Sequence, residues 1–498
     1  MEKKSAIIIG SGVAGLAIAT RLAIQGFDVK LFERNAYPGG KLSMFEQDGY
    51  RFDAGPSLFT QPANVEDLFE AAGEPMADFF AYRPVEIACH YFFGNGKTFT
   101  AYAEPARFAR EMEQAIGEPA VNTTRYLADA KNLYNHIGRI FINYSLHKKN
   151  TWLHKRVLNA LRFVKSAYLF SNLGQYNQQK FKTAEAVQVF NRFATYNGSN
   201  PYKAPAMLSL IPHLEINEGV FYPRGGMVSI TKALYDLAKK KGVQFYFNTA
   251  VDSIIHTGNA AIGIVSGDKN IHADIVVSNG DIYFTYQNLL RQPAKAKKIL
   301  KQERSSSALI FYWGIGKSFE SLGLHNIFFS DNYQQEFDHI FNRKTLGEDP
   351  TVYINITCKE DPTDAPAGKE NWFVMINVPA NSGQDWDTLK ERARKNILAK
   401  LSRLLQTDIE PLIESETIMD PVIIEERTGS YMGSLYGTSS NNRMAAFLRS
   451  ANFTREIKNL YFCGGSVHPG GGIPLCFKSA AITAAIIQKD QQRHPVTH

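Results

Sequence analysis

The chain has 498 residues, with 55 Lys+Arg against 48 Asp+Glu, a formal charge of +7, 44% apolar residues and 21% charged residues. This composition excludes a disordered, collagen-like or disulfide-stapled small protein, and the length suits two or three domains. A surplus of seven cations is too small to indicate nucleic acid, so no such partner is expected.

From the N-terminus, Lys3-Lys4 before Ala6 to Thr20 imitates a secretory signal, but glycines at fixed spacing favour another element. Ser5 to Gly10 is a continuous β-branched run that predicts a buried parallel strand. Gly10-Ser-Gly12-Val13-Ala14-Gly15 follows, and Leu16, Ala19, Leu22 and Ala23 then repeat at helical spacing up to Gly26. Phe27 to Glu33 is a second strand ending in an acid. Each part has a task in dinucleotide binding. Gly10 permits a tight turn, Gly12 admits a pyrophosphate to the backbone, and Gly15 lets helix and strand pack closely. The helix N-terminus favours negative charge. Glu33 comes about 20 residues later, where a carboxylate meets a ribose.

Next come Arg34, Pro38-Gly39-Gly40-Lys41, and Gly49-Tyr-Arg-Phe-Asp53-Ala-Gly55-Pro56-Ser57. A second glycine turn with a cation replaces the helix that a nicotinamide unit would start here. It resembles the extended fingerprint of glutathione-reductase-type flavoproteins, which implies FAD and places these residues against it.

Val85 to Phe93 reads as a strand, and residues 106–204 read as mainly helical. Between Asn143 and Gly174, Lys148, Lys149, Lys155, Arg156, Arg162 and Lys165 interleave with Trp152, Leu153, Val157, Phe163, Tyr168 and Phe170. That mixture on a helix suits an anionic membrane surface, although a solvated face over an ordinary core helix has the same pattern. Lys241 to Val251 predicts a strand whose end, in such folds, touches adenine. Ile271 to Asp281, with Asn279, predicts a buried strand closing the nucleotide domain. Ser307–Ile315, Thr351–Thr357 and Asn371–Val378 suit a substrate-domain sheet. Gly314-Ile-Gly316-Lys317-Ser318 is not a phosphate loop, because Phe311 stands where its first glycine would fall.

Near the C-terminus, Asn459 to Cys463 is a strand pattern. Gly464-Gly465-Ser-Val-His468-Pro-Gly-Gly-Gly472-Ile473-Pro474 follows, and Leu475 to Ile487 reads as a buried helix. So much glycine means that bare backbone approaches something. Cys89, Cys358, Cys463 and Cys476 form no C-x-x-C pair and read as reduced core thiols of an intracellular protein. Cys463 and His468 lack further ligands nearby, so no metal is expected. No apolar run reaches the roughly 18–20 residues of a spanning helix.

Over nearly its whole length the chain resembles the phytoene-desaturase family of bacterial carotenoid desaturases, within the amine-oxidase-like flavoproteins. The blocks carrying this are Gly49 to Thr60, Phe193 to Ala206, Phe221-Tyr-Pro-Arg-Gly-Gly-Met227, and the run from Gly437 through Asn441-Asn-Arg443, Phe447 and Tyr461 to Cys476. Pro56-Ser-Leu-Phe-Thr60 and Ile211-Pro-His213-Leu-Glu215 look most like the 3,4-desaturases of 1'-hydroxylated carotenoids.

The resemblance implies an α/β chain with a glutathione-reductase-type Rossmann-like FAD domain from residues 1–75, 225–285 and 455–498. A mixed-sheet substrate domain would use 76–105, 205–224 and 286–454, with 106–204 a helical, membrane-associating region. The implied reaction removes hydride and proton from a long acyclic carotenoid, with oxygen or a quinone reoxidising the flavin. The implied location is the cytoplasm, peripherally on the inner face of the cell membrane. In the C-terminal element, Gly464, Gly465, Gly472, Ile473 and Pro474 would cover the cofactor, and Val251 would lie near adenine. Arg224, His213, Glu215 and His468 are the polar candidates for catalysis. An earlier-acting phytoene desaturase, a flavin-dependent isomerase or oxidase, and a non-catalytic carotenoid binder remain alternatives.

Overall fold

A computed structural model describes residues 3–153, 155–160, 168, 170–442 and 449–493. Its nucleotide-type layer is a five-stranded parallel sheet. The strand order is Leu460–Phe462, Ile275–Ser278, Ser5–Ile9 (β1), Asp28–Phe32 (β2) and Gln244–Tyr246. β1 is central, with Ile7 paired to Val276 on one side and Lys30 on the other. Its run of isoleucines is buried on both faces, as a covered parallel strand requires. Helix Val13–Ile24 (α1) and the C-terminal helix Ile473–Arg493 pack together in one apolar cluster containing Leu16, Ala17, Phe477 and Ala480.

Two sequence expectations change in detail. Only Gln244–Tyr246 of the run to Val251 is strand, forming an edge beside β2, and Val251 lies outside it, half-buried. Ile271 to Asp281 is not one closing strand. It divides into Lys269–His272, which edges a three-stranded antiparallel sheet, and Ile275–Ser278, which lies inside the parallel sheet. The break falls where Asp274 turns to accept the Ser5 backbone N–H at 2.6 Å.

The second layer is a seven-stranded mixed sheet, ordered Ile413–Met419, Ser307–Ile315, Glu370–Val378, Val352–Ile356, His325–Phe328, Ile87–Phe92 and Thr98–Tyr102. One face packs Phe311, Trp313, Phe328 and Trp372 against the long helix Trp386–Leu405. Each such fully buried aromatic contributes roughly 1.5–3 kcal/mol. The opposite face meets helices through Tyr91, Ile327, Phe108, Tyr126 and Phe193, and meets the Met44–Gln47/Tyr50–Asp53 hairpin through Tyr312 and Phe373.

The basic stretch is not one continuous helix where it is described: Lys149–Trp152 and Lys155–Ala160 are separate short helices. Arg162, Phe163 and Lys165 lie outside the described residues, as do Arg443 and Phe447. Among the described residues, no helix is long and apolar enough to cross a membrane.

Candidate functional site

The C-terminal ends of the parallel strands carry the glycine turns. Gly10 has φ +93°, and a Cβ on Gly15 would stand 2.0 Å from the Gly10 carbonyl oxygen. Glycine is thus the residue type that lets α1 leave β1 at this angle. Gly12 caps α1, and among the described residues no side-chain hydrogen bond caps that helix N-terminus. Gly39 forms a parallel bridge with Gly12 and donates its N–H to Ser11 O at 2.9 Å. Gly40, at φ +58°, lies against the Gly12 Cα. Both glycine turns therefore share one backbone surface. Val13 and Ala14, in the first turn of α1, are buried.

Glu33 is buried at the end of β2. Its Oε2 accepts both the Ser11 N–H and the Ser11 hydroxyl at 2.8 Å, while Oε1 accepts the Asn35 N–H at 2.9 Å. The carboxylate is anchored at the turn where its spacing predicts a ribose. Arg34 is exposed and donates to the Glu426 carbonyl.

Asn279 joins the N- and C-terminal glycine segments. Its N–H donates to Ile9 O at 2.8 Å. A Cβ on Gly12 would come within 2.9 Å of its Nδ2, and one on Gly464 within 2.7 Å of its Oδ1. Gly465 runs against Gly471, and Gly472 (φ +107°) faces open space at the start of Ile473–Arg493. Ile473 is buried and Pro474 half-buried in the first turn of that helix, which therefore begins two residues before the predicted Leu475. Gly55 packs its Cα against the Lys41 carbonyl, drawing Pro56 and Ser57 toward the same turn.

Cations gather here. Lys41 Nζ donates to Leu435 O at 2.8 Å, and burial pulls its pKa down to about 8 despite the nearby Asp281 and Cys476. Arg304 is buried, pairs with Asp281 at 2.5 Å and donates to Ser434 Oγ at 2.8 Å, yet its Nη1 has no partner among the described residues. Arg449, buried beside Gly470, donates to Tyr436 O at 3.2 Å. Burial pulls its pKa down to about 10. The buried cations Lys41, Arg304 and Arg449, an orphaned Nη1, bare glycine backbone and two helix N-termini fit the pyrophosphate of a dinucleotide. Sequence reading missed Ser11, Arg304 and Arg449. Arg304 carried only the signal of a lone cation before an apolar strand, and Arg449 carried none.

The four polar candidates do not form one constellation. Arg224 is exposed, with its N–H on Ala81 O at 2.9 Å. His213 is buried beside the Tyr134 ring, with Nε2 3.4 Å from Glu218. Glu215 is buried, accepting from Arg192 at 2.8 Å and from the Tyr196 hydroxyl. His468 is fully buried, with Nε2 2.8 Å from Tyr144 O, and burial pulls its pKa down to about 4. Among the described residues no cluster suits a metal ion, and the four cysteines are free thiols.

Residues 13–488 match the family of flavin-containing amine oxidoreductases. A 1-hydroxycarotenoid 3,4-desaturase from a Flavobacterium species is 50% identical over 484 residues, covering 97% of this chain and 99% of that protein. A 4,4'-diapolycopene oxygenase from Methylomonas is 33% identical, covering 99% of each. A phytoene desaturase of Fusarium fujikuroi is 32% identical, covering 98% of this chain and 90% of that one. Among solved structures, cyclohexylamine oxidase from Brevibacterium oxydans aligns with TM-score 0.61 at 14% identity, covering 99% of this chain and 100% of that one. Putrescine oxidase bound to putrescine aligns with TM-score 0.61 at 14% identity, covering 98% and 99%. The fold is thus a Rossmann-like FAD-binding architecture of the amine-oxidase type, assembled from separated segments, with a mixed sheet. The chain belongs to the flavin-containing amine oxidoreductase family, and its cofactor is FAD.

Proposed function

We propose that this flavin-containing oxidoreductase is a carotenoid desaturase that introduces the 3,4 double bond of an acyclic, 1-hydroxylated carotenoid. The observation that carries this reading is the 50% identity to a 1-hydroxycarotenoid 3,4-desaturase, extending over 97% of the chain. The cradle of glycine backbone and buried cations supports it independently, through the cofactor.

Bound FAD supplies a two-electron acceptor for hydride. The chain's own work is to hold the nucleotide and to bring an insoluble polyene to it without water. Gly12, Gly39, Gly40, Gly465 and Gly472 offer backbone to the cofactor, with Lys41, Arg304 and Arg449 opposing pyrophosphate charge. Glu33 takes the ribose hydroxyls. The apolar side of the mixed sheet, with Tyr91, Ile327 and Phe373, and the helices facing it are the surfaces that receive the polyene. Glu215 and His213, buried in that helical layer, are the proton acceptors put forward for the carbon beside the hydride donor. Arg224 and His468 are less suited: one is exposed, and the other is committed to a backbone carbonyl.

The polyene partitions into lipid, so we place the protein peripherally on the cytoplasmic side of the membrane. Exposed Trp152 and Leu153, flanked in the chain by exposed Lys149 and Lys155, and exposed Phe170 support that contact. Oxygen or a quinone is the expected terminal acceptor.

Anaerobic incubation of the purified holoprotein with a 1-hydroxylated acyclic carotenoid tests the reaction. Bleached flavin absorbance and a product with one more conjugated double bond are expected. An isomerised product with unbleached flavin, or a product carrying a new oxygen when the incubation is repeated in air, overturns the assignment.

A further inference from the structure

A row of hydrogen bonds runs along the helix-facing side of the mixed sheet through His325, Tyr353 and Ser57. His325 opens the His325–Phe328 strand, directly opposite Asn355 of the next strand, and Tyr353 lies two residues away on the same face. His325 Nδ1 is 2.7 Å from the Tyr353 hydroxyl and 3.3 Å from Asn355 Nδ2. Asn355 Nδ2 also donates to Leu324 O at 2.9 Å, which fixes that amide with its nitrogen toward the histidine. An amide nitrogen only donates, so Nδ1 accepts and the ring proton resides on Nε2. The Tyr353 hydroxyl in turn lies 2.8 Å from Ser57 Oγ. The row therefore reads Ser57 O–H to Tyr353, Tyr353 O–H to His325 Nδ1, with Nε2–H at its end.

That terminal N–H is buried and has no partner among the described residues, in a side chain only 3% exposed. Native structures rarely leave such a donor empty, because its desolvation costs about 1–3 kcal/mol. Burial, followed by the charge of Arg192, pushes the His325 pKa down to about 3, so the ring is a neutral donor at physiological pH. Its strand neighbours on this face are Ile327, Phe373 and Met375, and the buried Arg192–Glu215 pair lies near enough to act on His325 and Tyr353. The other end of the row, Ser57, is two residues past Gly55, whose Cα abuts the Lys41 carbonyl of the cofactor turn. The row thus leads from the cofactor turn into the buried layer between sheet and helices and ends there in a neutral donor without a partner among the described residues.

A 1-hydroxylated end places its oxygen on C1, two carbon–carbon bonds from C3 of the bond to be oxidised. Whatever binds that oxygen must stand near the cofactor and be buried. We propose that His325 Nε2–H donates a hydrogen bond to the C1 hydroxyl and selects the hydroxylated carotenoid end, with Tyr353 and Asn355 as positioning residues that hold its tautomer. This inference rests on the substrate reading given above.

The test compares kcat/KM for a 1-hydroxylated carotenoid and its deoxy counterpart of equal length, using holoprotein in lipid vesicles. Wild type is expected to favour the hydroxylated substrate, and His325→Phe to lower that ratio by about 10- to 100-fold with flavin content and Tm preserved. His325→Gln, which keeps an N–H donor, is expected to retain an intermediate ratio. Tyr353→Phe, which keeps the ring volume, is expected to lower the ratio several-fold and carries the test if His325→Phe yields no flavoprotein. An unchanged ratio in the folded variants overturns the role of His325 and leaves the desaturase reading standing. A wild-type protein that oxidises neither substrate removes both.

Discussion

Gly12 and Gly39 lie opposite each other in a parallel bridge, and the Gly39 N–H closes on the carbonyl of Ser11 at 2.9 Å. This contact fuses two glycine turns from different parts of the chain into one concave backbone surface. Gly39 adopts φ +108°, and a Cβ there would stand 2.5 Å from Leu42 O. At Gly39 the backbone leaves no room for a side chain, which holds the two turns in this arrangement.

Gly12→Val is expected to lower the flavin content of purified protein at least about tenfold. The added Cβ would press on Asn279 Nδ2 at 2.9 Å, and the remaining methyls would cover the backbone that faces the pyrophosphate. Absorbance of flavin per protein, beside a far-ultraviolet dichroism spectrum, measures this. A folded variant with full flavin would remove the site assignment.

Lys41 is expected to make FAD binding pH-dependent. In the cofactor-free chain its pKa is about 8, and an anion beside it favours the protonated form. Above pH 8 the free lysine is neutral and must take up a proton to oppose pyrophosphate charge. Affinity therefore falls as pH rises past 8, by up to about tenfold per unit. Fluorescence titration of apoprotein with FAD between pH 6.5 and 9.5 checks the slope. Lys41→Met should bind more weakly at pH 7 and show no slope of this origin.

Acid should destabilise the fold from about pH 6.5 downward, partly through His468. Its folded pKa is about 4, against about 6.5 in an unfolded chain. Between those values the unfolded state binds a proton that the folded state refuses, so stability drops as pH falls. The contribution is on the order of 3 kcal/mol when fully lost. Chemical denaturation at pH 7, 5.5 and 4.5 should show a shallower loss for His468→Asn than for wild type. Equal slopes would show that this ring does not drive the transition.

Leu153 and Phe170 are 78% and 67% exposed. Replacing both with Asp is expected to reduce co-sedimentation with anionic vesicles about five- to tenfold, leaving flavin content unchanged. Raising salt should weaken wild-type binding in the same assay. Vesicle binding that ignores both changes would locate the lipid contact elsewhere.

What could be read from the residues alone was what the backbone demands locally. Gly10, Gly12 and Gly15 between an apolar strand and a helix announce a nucleotide turn because positive φ and close approach leave no other residue type. Glu33 follows because the length of one helix and one strand brings it back to that turn. Ser307–Ile315 and Glu370–Val378 are legible as strands because alternation or continuous apolarity survives burial, and both lie in the mixed sheet. The same periodicity left the long basic segment as one helix, where the described chain has separate short ones.

Long-range partnerships were decided by tertiary structure. Arg304 reaches Asp281 and Ser434, Arg449 comes beside Gly470, and Ser57 meets Tyr353 and through it His325. No spacing in the chain encodes these encounters. They arise when two sheets and a helical layer pack, and the energy that joins them is burial of apolar faces that carry no record of which polar groups will meet. A glycine turn is written in consecutive residues because its requirement is steric and local, whereas Arg304, Arg449 and His325 acquire their neighbours only when distant segments close together.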